Sequence, residues 1–75
     1  MPNKPSKQLA RDPRADPSPG DVLIANGNIR LIVEITDFPR EASVWYRTID
    51  RPKVFERLNY FRKWAKKAEV IHAAE

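Results

Sequence analysis

The 75-residue chain contains no cysteine, one histidine and only two glycines. Without cysteine it has no disulfide, no thiolate zinc site and no cysteine nucleophile, so the usual covalent reinforcement of a small secreted domain is missing. His72 has no second imidazole with which to share a metal, and two glycines leave little material for a phosphate-cradling loop. We therefore expect no catalytic site, no metal and no cofactor, and a reducing, cytoplasmic environment suits the chain best.

Long hydrophobic runs are also absent. No stretch approaches the roughly 18 apolar residues of a spanning helix, and the first residues are proline-rich where a signal peptide needs an apolar segment. We expect a protein that is neither exported nor inserted in a membrane. The chain is long enough for one small domain, and its net charge of +4 makes it basic.

The first 19 residues differ in composition from the rest. They hold five of the seven prolines, and their charged side chains are Lys4, Lys7, Arg11, Asp12, Arg14 and Asp16. Such a segment buries too little apolar surface to fold alone. We predict a disordered, basic, proline-rich arm at residues 1–19 and a single small domain at residues 20–75.

A β-hairpin is the strongest local signal. Apolar, β-branched runs flank Asn26 and Gly27, and this dipeptide supplies the positive φ values that a tight primed turn requires. In the second strand, alternation predicts that Leu31, Val33 and Ile35 face inward. Ile32 interrupts this alternation and is a possible second buried face.

Residues 43–49 are dense in strand-forming residues and allow two registers. Either Val44, Tyr46 and Thr48 face inward, or the intervening residues do. We favour the first register, because the second would bury Arg47 without a partner. It places Trp45 beside Arg47 on the outer face.

Residues 52–74 allow two interpretations. One is a single long helix with a broad apolar face, packed on a three-stranded antiparallel sheet. The other, which we favour, is a fourth strand at residues 53–58, a short helix capped by Asn59 and a fifth strand at residues 69–73. The second order is that of a small SH3-like barrel, mainly β with one short helix.

The run Pro19-Gly20-Asp21-Val22-Leu23, an Asn-Gly turn and Leu31-Ile32-Val33-Glu34-Ile35 resembles the opening of KOW-type and other SH3-like barrels. That resemblance implies RNA, DNA or protein contacts through barrel loops. The whole layout, with Val44-Trp45-Tyr46-Arg47 followed by Leu58-Asn59-Tyr60-Phe61-Arg62-Lys63-Trp64-Ala65, resembles short phage and prophage proteins. That resemblance adds inhibitors of host factors, anti-CRISPR proteins among them, as a class.

Positive charge is concentrated in residues 51–69, which contain seven Lys and Arg residues and only two acidic residues. On a helix, Phe61 and Trp64 would anchor the core while the cations form an opposite stripe, with Tyr60 off the apolar face. Such a stripe attracts phosphates and binds them with little sequence specificity. The predicted DNA- or RNA-binding residues are Lys53, Arg57, Arg62, Lys63, Lys66 and Lys67.

The alternative is a protein-binding module that docks on a host protein, as a phage-type inhibitor or adaptor. Its anchor would be Trp45, with Arg47, Ile49 or Ile32, because exposed aromatic and arginine side chains dominate protein interfaces. A homodimer formed through an open sheet edge is a third possibility.

Overall fold

The structure, a computed structural model, describes residues 11–37 and 41–75. Arm residues 1–10 and loop residues 38–40 lie outside the described residues. The elements are strands β1 (Val22–Ala25), β2 (Asn28–Thr36), β3 (Ser43–Arg47) and β4 (Val54–Arg57), helix α1 (Leu58–Ala65) and strand β5 (Glu69–His72). The predicted strand, helix and strand within residues 53–73 are confirmed, and the alternative of one long helix is wrong.

The five strands form one antiparallel sheet in the order β4-β3-β2-β1-β5. No pairing joins the edge strands β4 and β5 within residues 11–37 and 41–75, so the described sheet is open. The prediction of a mainly β fold with one short helix is confirmed, whereas the closed SH3-like barrel is not. In this part of the chain, no helix has the length and apolarity needed to cross a membrane.

The predicted hairpin turn lies between β1 and β2. Ala25 pairs with Asn28, so Asn26 and Gly27 form a two-residue loop. Their φ values are 52° and 78°, both in the left-handed region that asparagine and glycine tolerate best. The Asn-Gly signal therefore sets both the turn and the register of β1 on β2.

One hydrophobic core lies between the sheet and α1. Its buried members are Leu23, Ala25, Ile32, Val44, Phe61, Ala65 and Ala68. Tyr46 and Trp64 pack against this cluster while remaining partly exposed. The helix thus covers one face of the sheet, which we call the core face. Among the described residues, no helix or strand covers the opposite or outer face.

The predicted inward face of β2 is wrong for Leu31, whereas Ile32, the possible second buried face, is buried. Ile32 is 1% exposed, whereas Leu31 is 41% exposed. The register of β2 on β3 shifts between Ile32 and Glu34, which marks a β-bulge at this point. Ile32 pairs with Tyr46, and Ile35 pairs with Val44. Because the bulge inserts one extra residue, Ile32 and Ile35 both lie on the core face although they are three positions apart.

The favoured register of β3 is confirmed. Val44 is fully buried and Tyr46 packs against the core, while Arg47 is exposed. Strand alternation then places Trp45 on the outer face. Ile49 lies beyond the end of β3 and is 84% exposed.

Helix α1 begins directly after β4. The predicted cap, Asn59, is wrong, because the N-cap position is Arg57 and Asn59 lies inside the helix. The backbone N–H of Leu58 donates to the carbonyl of Ala42, which continues the pairing of β3 with β4 up to the first helical residue. The sheet therefore supplies a partner for one of the four N–H groups at the start of the helix that have none within it.

The segment 11–21 lies against the domain. The side chains of Pro13 and Pro17 are buried, and the backbone N–H groups of Ala15 and Asp16 both donate to the carbonyl of Asp12 in a turn. These residues belong to the predicted arm, yet their contacts bring them beside α1.

Candidate nucleic-acid interface

Four cations share the exposed side of α1 and the turn that follows it: Arg62, Lys63, Lys66 and Lys67. Positions four apart are neighbours on a helix, so Arg62 lies beside Lys66. Lys63 lies on the same side, and Lys67 follows in the turn after the helix. The opposite side of α1 carries the buried Phe61. We call these four cations the basic face.

The four cations of the basic face form no ion pair in the part of the chain that the structure describes. The ion pairs found there are Arg11 with Asp21, Arg14 with Asp12, Arg30 with Glu56 and Lys53 with Glu34. All four involve other cations. The cations of the basic face are therefore exposed to solvent, where like charges repel one another and attract an external polyanion.

Arg62 is held in position by the segment before the sheet. Its Nε donates to the carbonyl oxygen of Ala15 at 2.7 Å. Between these elements lies an open groove of about 430 Å³, lined by Asp12, Arg14, Ala15, Arg62 and Lys66. The groove gathers three cations around one acid.

Asp12 partly neutralises this groove. Its Oδ1 accepts hydrogen bonds from the backbone N–H of Arg14 at 3.0 Å and from Arg14 Nε at 3.2 Å. The backbone bond and then the guanidinium hold the pKa of Asp12 below its ordinary value. Asp12 is therefore ionised at neutral pH and screens Arg14.

Arg11 and Asp21 fix the segment that carries Arg14. The Asp21 side chain is fully buried and accepts hydrogen bonds from Arg11 Nη1 at 2.6 Å and Nη2 at 3.0 Å. Burial by itself would raise the pKa of Asp21, but Arg11 and the backbone N–H groups of Ala74 and Ser18 outweigh it and lower the pKa. Arg11 is thus engaged within the chain, whereas Arg14 lines the groove.

The aromatic residues of α1 divide between surface and interior. Tyr60 is 55% exposed, and Lys63 Nζ lies 5.3 Å from its ring centroid. Phe61 is fully buried, as predicted, and its ring centroid lies 5.9 Å from that of Trp64. Tyr60 is therefore the aromatic residue of α1 that could contact a base or a sugar beside the basic face.

Trp64 is engaged by a partly buried cation that the sequence analysis did not identify. The guanidinium carbon of Arg30 lies 3.9 Å from the Trp64 ring centroid and 4.0 Å from that of Tyr46. Arg30 Nη1 also pairs with Glu56 Oε1 at 2.9 Å. A planar guanidinium stacks well between two rings, so Arg30 binds the sheet to the helix and is not a surface cation.

Lys53 does not join the basic face. Its Nζ lies 3.2 Å from Glu34 Oε1 and 5.2 Å from the Trp45 ring centroid. Glu34 pairs with Trp45 in the sheet, so all three residues lie on the outer face, opposite α1. Arg57 precedes the helix and is half-buried, and its Nη1 is buried without a hydrogen-bond partner.

The residues of the protein-docking alternative are separated by the structure. Trp45 is half-buried on the outer face, where its Nε1 donates to Thr36 Oγ1 at 3.0 Å. Arg47 is exposed and Ile49 lies in the connection after β3, but Ile32 is in the core and unavailable to a partner. This is a correction for Ile32, which lies on the same face of β2 as Arg30, the residue opposite the buried Leu23.

His72 lies exposed in β5. Within residues 11–37 and 41–75, no group of three His, Cys, Asp or Glu side chains is placed to hold a metal ion.

No protein-family model matches the chain, and neither a curated protein nor a solved structure is significantly similar to it. The functional argument therefore rests on the residues themselves.

Proposed function

We propose that the protein is a small, non-enzymatic module that binds DNA or RNA through the basic face of α1. One observation carries the proposal: four cations lie together on the helix and its following turn, and none has an acidic partner in the described part of the chain. When these cations contact phosphates, they release the counterions that are condensed on the nucleic acid, and this release favours binding.

The groove extends this surface toward the N-terminal segment. Arg14 adds a further cation next to Arg62 and Lys66. Of the six predicted residues, Arg62, Lys63, Lys66 and Lys67 form the centre of the proposed interface. Lys53 points away from it on the outer face, and Arg57 is half-buried before the start of the helix, so both lie outside this centre.

Sequence specificity should be weak. The basic face consists of lysine and arginine side chains spread along a helix of eight residues. Such cations contact phosphates, which position a nucleic acid without reading its bases. We expect duplexes of different sequence to bind with similar affinity.

The experiment compares two variants of equal net charge. The first, Lys63→Gln with Lys66→Gln and Lys67→Gln, removes three charges from the basic face. The matched control, Arg47→Gln with Arg51→Gln and Lys53→Gln, removes three charges elsewhere. Fluorescence anisotropy with a labelled duplex and a labelled RNA measures affinity at low salt.

We expect the first variant to lose about 10- to 100-fold in affinity, and the control to lose only a few-fold through its lower net charge. Equal losses in both variants would show that net charge alone drives binding and would remove the basic face from the mechanism. No binding by the natural protein would overturn the proposal itself.

The protein-docking alternative has less support. Ile32 is buried, and Trp45 is held by Thr36 and by Phe55, whose ring centroid lies 5.0 Å away. Its test is Trp45→Ala, which should cost a partner complex about 2 kcal/mol or more if Trp45 is the anchor. A phage-type inhibitor remains the form that this alternative would take.

We also propose an SH3-like arrangement of the strands and a cytoplasmic location. The order of four strands, short helix and fifth strand supports an SH3-like arrangement, with the described sheet as its open form. The cysteine-free composition supports a cytoplasmic location.

A further inference from the structure

Strand β4 is an edge of the sheet that exposes apolar side chains. Val54 is 46% exposed and Phe55 is 43% exposed. Exposed edges with apolar residues favour pairing with another strand, since their outward N–H and C=O groups lack partners in the sheet.

The register of β4 shows which backbone groups face outward. The bond from Leu58 N–H to the Ala42 carbonyl makes 42 and 58 a hydrogen-bonded pair. Hydrogen-bonded and non-bonded pairs alternate along an antiparallel ladder. Trp45 and Phe55 are therefore a non-bonded pair, and the N–H and C=O of Phe55 point toward the free edge.

We propose that β4 pairs antiparallel with β4 of a second copy of this chain, about a two-fold axis at Phe55. In this register, Phe55 of one copy faces Phe55 of the other, and each donates its N–H to the other's C=O. A register centred on Phe55 also keeps the outer faces of both sheets on the same side, because directly opposite residues share a face.

The side chains of the outer face fit this register. Each Phe55 ring already lies 5.0 Å from its own Trp45 ring, at an interplanar angle of 37°. Pairing through Phe55 joins the two aromatic pairs into one row of four rings across the axis. Contacts between such rings contribute beyond the area they bury.

The other edge is protected. The register of β5 on β1 shifts between Val22 and Leu23, which leaves Ile71 as an extra residue in β5. Bulges twist an edge strand away from would-be partners. No register shift interrupts β4 on β3, so β4 is the edge that remains regular.

Repulsion between cations opposes the association and makes the dimerisation depend on salt. The register places Lys53 of one copy opposite Arg57 of the second copy at both ends of the paired strands. Glu34 offsets Lys53 only in part, since their ion pair is half-exposed. Added salt screens this repulsion, so dimerisation should strengthen as salt rises, whereas nucleic-acid binding should weaken.

The first experiment is cysteine crosslinking, which is unambiguous in a chain without cysteine. In the proposed register, Val54 faces Glu56 of the other copy as a non-hydrogen-bonded pair, with Cα atoms about 4.5 Å apart, within the range of a disulfide. Val54→Cys with Glu56→Cys leaves Phe55 in place and should form oxidised dimer at least about tenfold more than Ile49→Cys with Asp50→Cys, an exposed control pair that crosslinks only by collision. Equal crosslinking in the two variants would overturn the proposal.

The second experiment uses the natural chain without nucleic acid, so its result is independent of the proposed function. Sedimentation equilibrium from about 10 µM to about 1 mM should show a dimer that strengthens with salt, as expected for a small interface. Phe55→Lys should abolish it, and Ile71→Lys, the same change on the other edge, should not. A monomer at every concentration and salt level, or equal effects of both lysines, would overturn the proposal.

Discussion

Arg11 binds Asp21 through both terminal nitrogens of its guanidinium, and the Asp21 carboxylate is fully buried. The same carboxylate accepts the backbone N–H of Ser18 at 2.8 Å and that of Ala74 at 2.7 Å. One side chain thus joins Arg11, the turn at Ser18 and the distant Ala74. This junction holds the segment carrying Arg14 beside α1.

Removing the Arg11 side chain should destabilise the fold. Arg11→Ala leaves Asp21 buried with an uncompensated charge, so we expect a loss of about 2–4 kcal/mol in the free energy of unfolding. The control is Arg14→Ala, whose half-exposed pair with Asp12 should contribute less than about 1 kcal/mol. Urea denaturation followed by tryptophan fluorescence measures both. Equal, small losses would mean that the junction does not hold the segment.

Low pH should weaken the interaction between Arg11 and Asp21. The pKa of Asp21 in the folded protein lies below the ordinary value near 3.9. Ionised Asp21 therefore contributes stability that is fully present above about pH 5 and lost as the pH falls through the folded pKa. The stability difference between the natural chain and Asp21→Asn should be constant from about pH 7 to pH 5 and shrink below about pH 4. A difference that grew toward low pH would contradict this assignment.

Local signals in the sequence predicted the strands and turns well. Asn26 and Gly27 require positive φ whatever surrounds them, so their turn could be predicted from two residues. The inward face of β3 followed from the cost of burying Arg47. The inward face of β2 followed only in part: Ile32 interrupts the apolar alternation and indicates a second buried face, but the position of a bulge depends on the neighbouring strand.

The register of β2 predicts that alanine substitution at two neighbouring residues changes the free energy of unfolding by very different amounts. Ile32→Ala should cost about 2–4 kcal/mol, since Ile32 is fully enclosed by the core. Leu31→Ala should cost less than about 1 kcal/mol, because Leu31 is 41% exposed on the outer face. Chemical denaturation of both variants tests the register, and a larger loss for Leu31→Ala would restore the simple alternation.

The sequence predicted only the part of the candidate site that lies within one helix and the turn after it. Helical spacing alone predicts that Arg62, Lys63, Lys66 and Lys67 lie on one side of α1. The positions of Arg14 and Lys53 depend on contacts between residues far apart in sequence. Arg14 reaches the helix through the junction at Asp21, and Lys53 is drawn to the outer face by Glu34.

Asp12→Asn should increase nucleic-acid affinity. Asparagine keeps an oxygen for the backbone N–H of Arg14 but removes the charge that screens its guanidinium. A screened unit charge at this range is worth about 0.5–1 kcal/mol, so affinity should rise about two- to fivefold at low salt. Asp50→Asn, an equal charge change in the β3–β4 connection, is the control. The same gain in both variants would exclude a specific role for the groove.

The salt dependence of nucleic-acid affinity tests the central claim most directly. The slope of log K against log salt counts the phosphates that the protein neutralises, at about 0.9 per contact on duplex DNA. Replacing Lys63, Lys66 and Lys67 together with glutamine should reduce the magnitude of that slope by about 2–3. A slope unchanged from that of the natural chain would contradict the account, because those cations would then contact no phosphate.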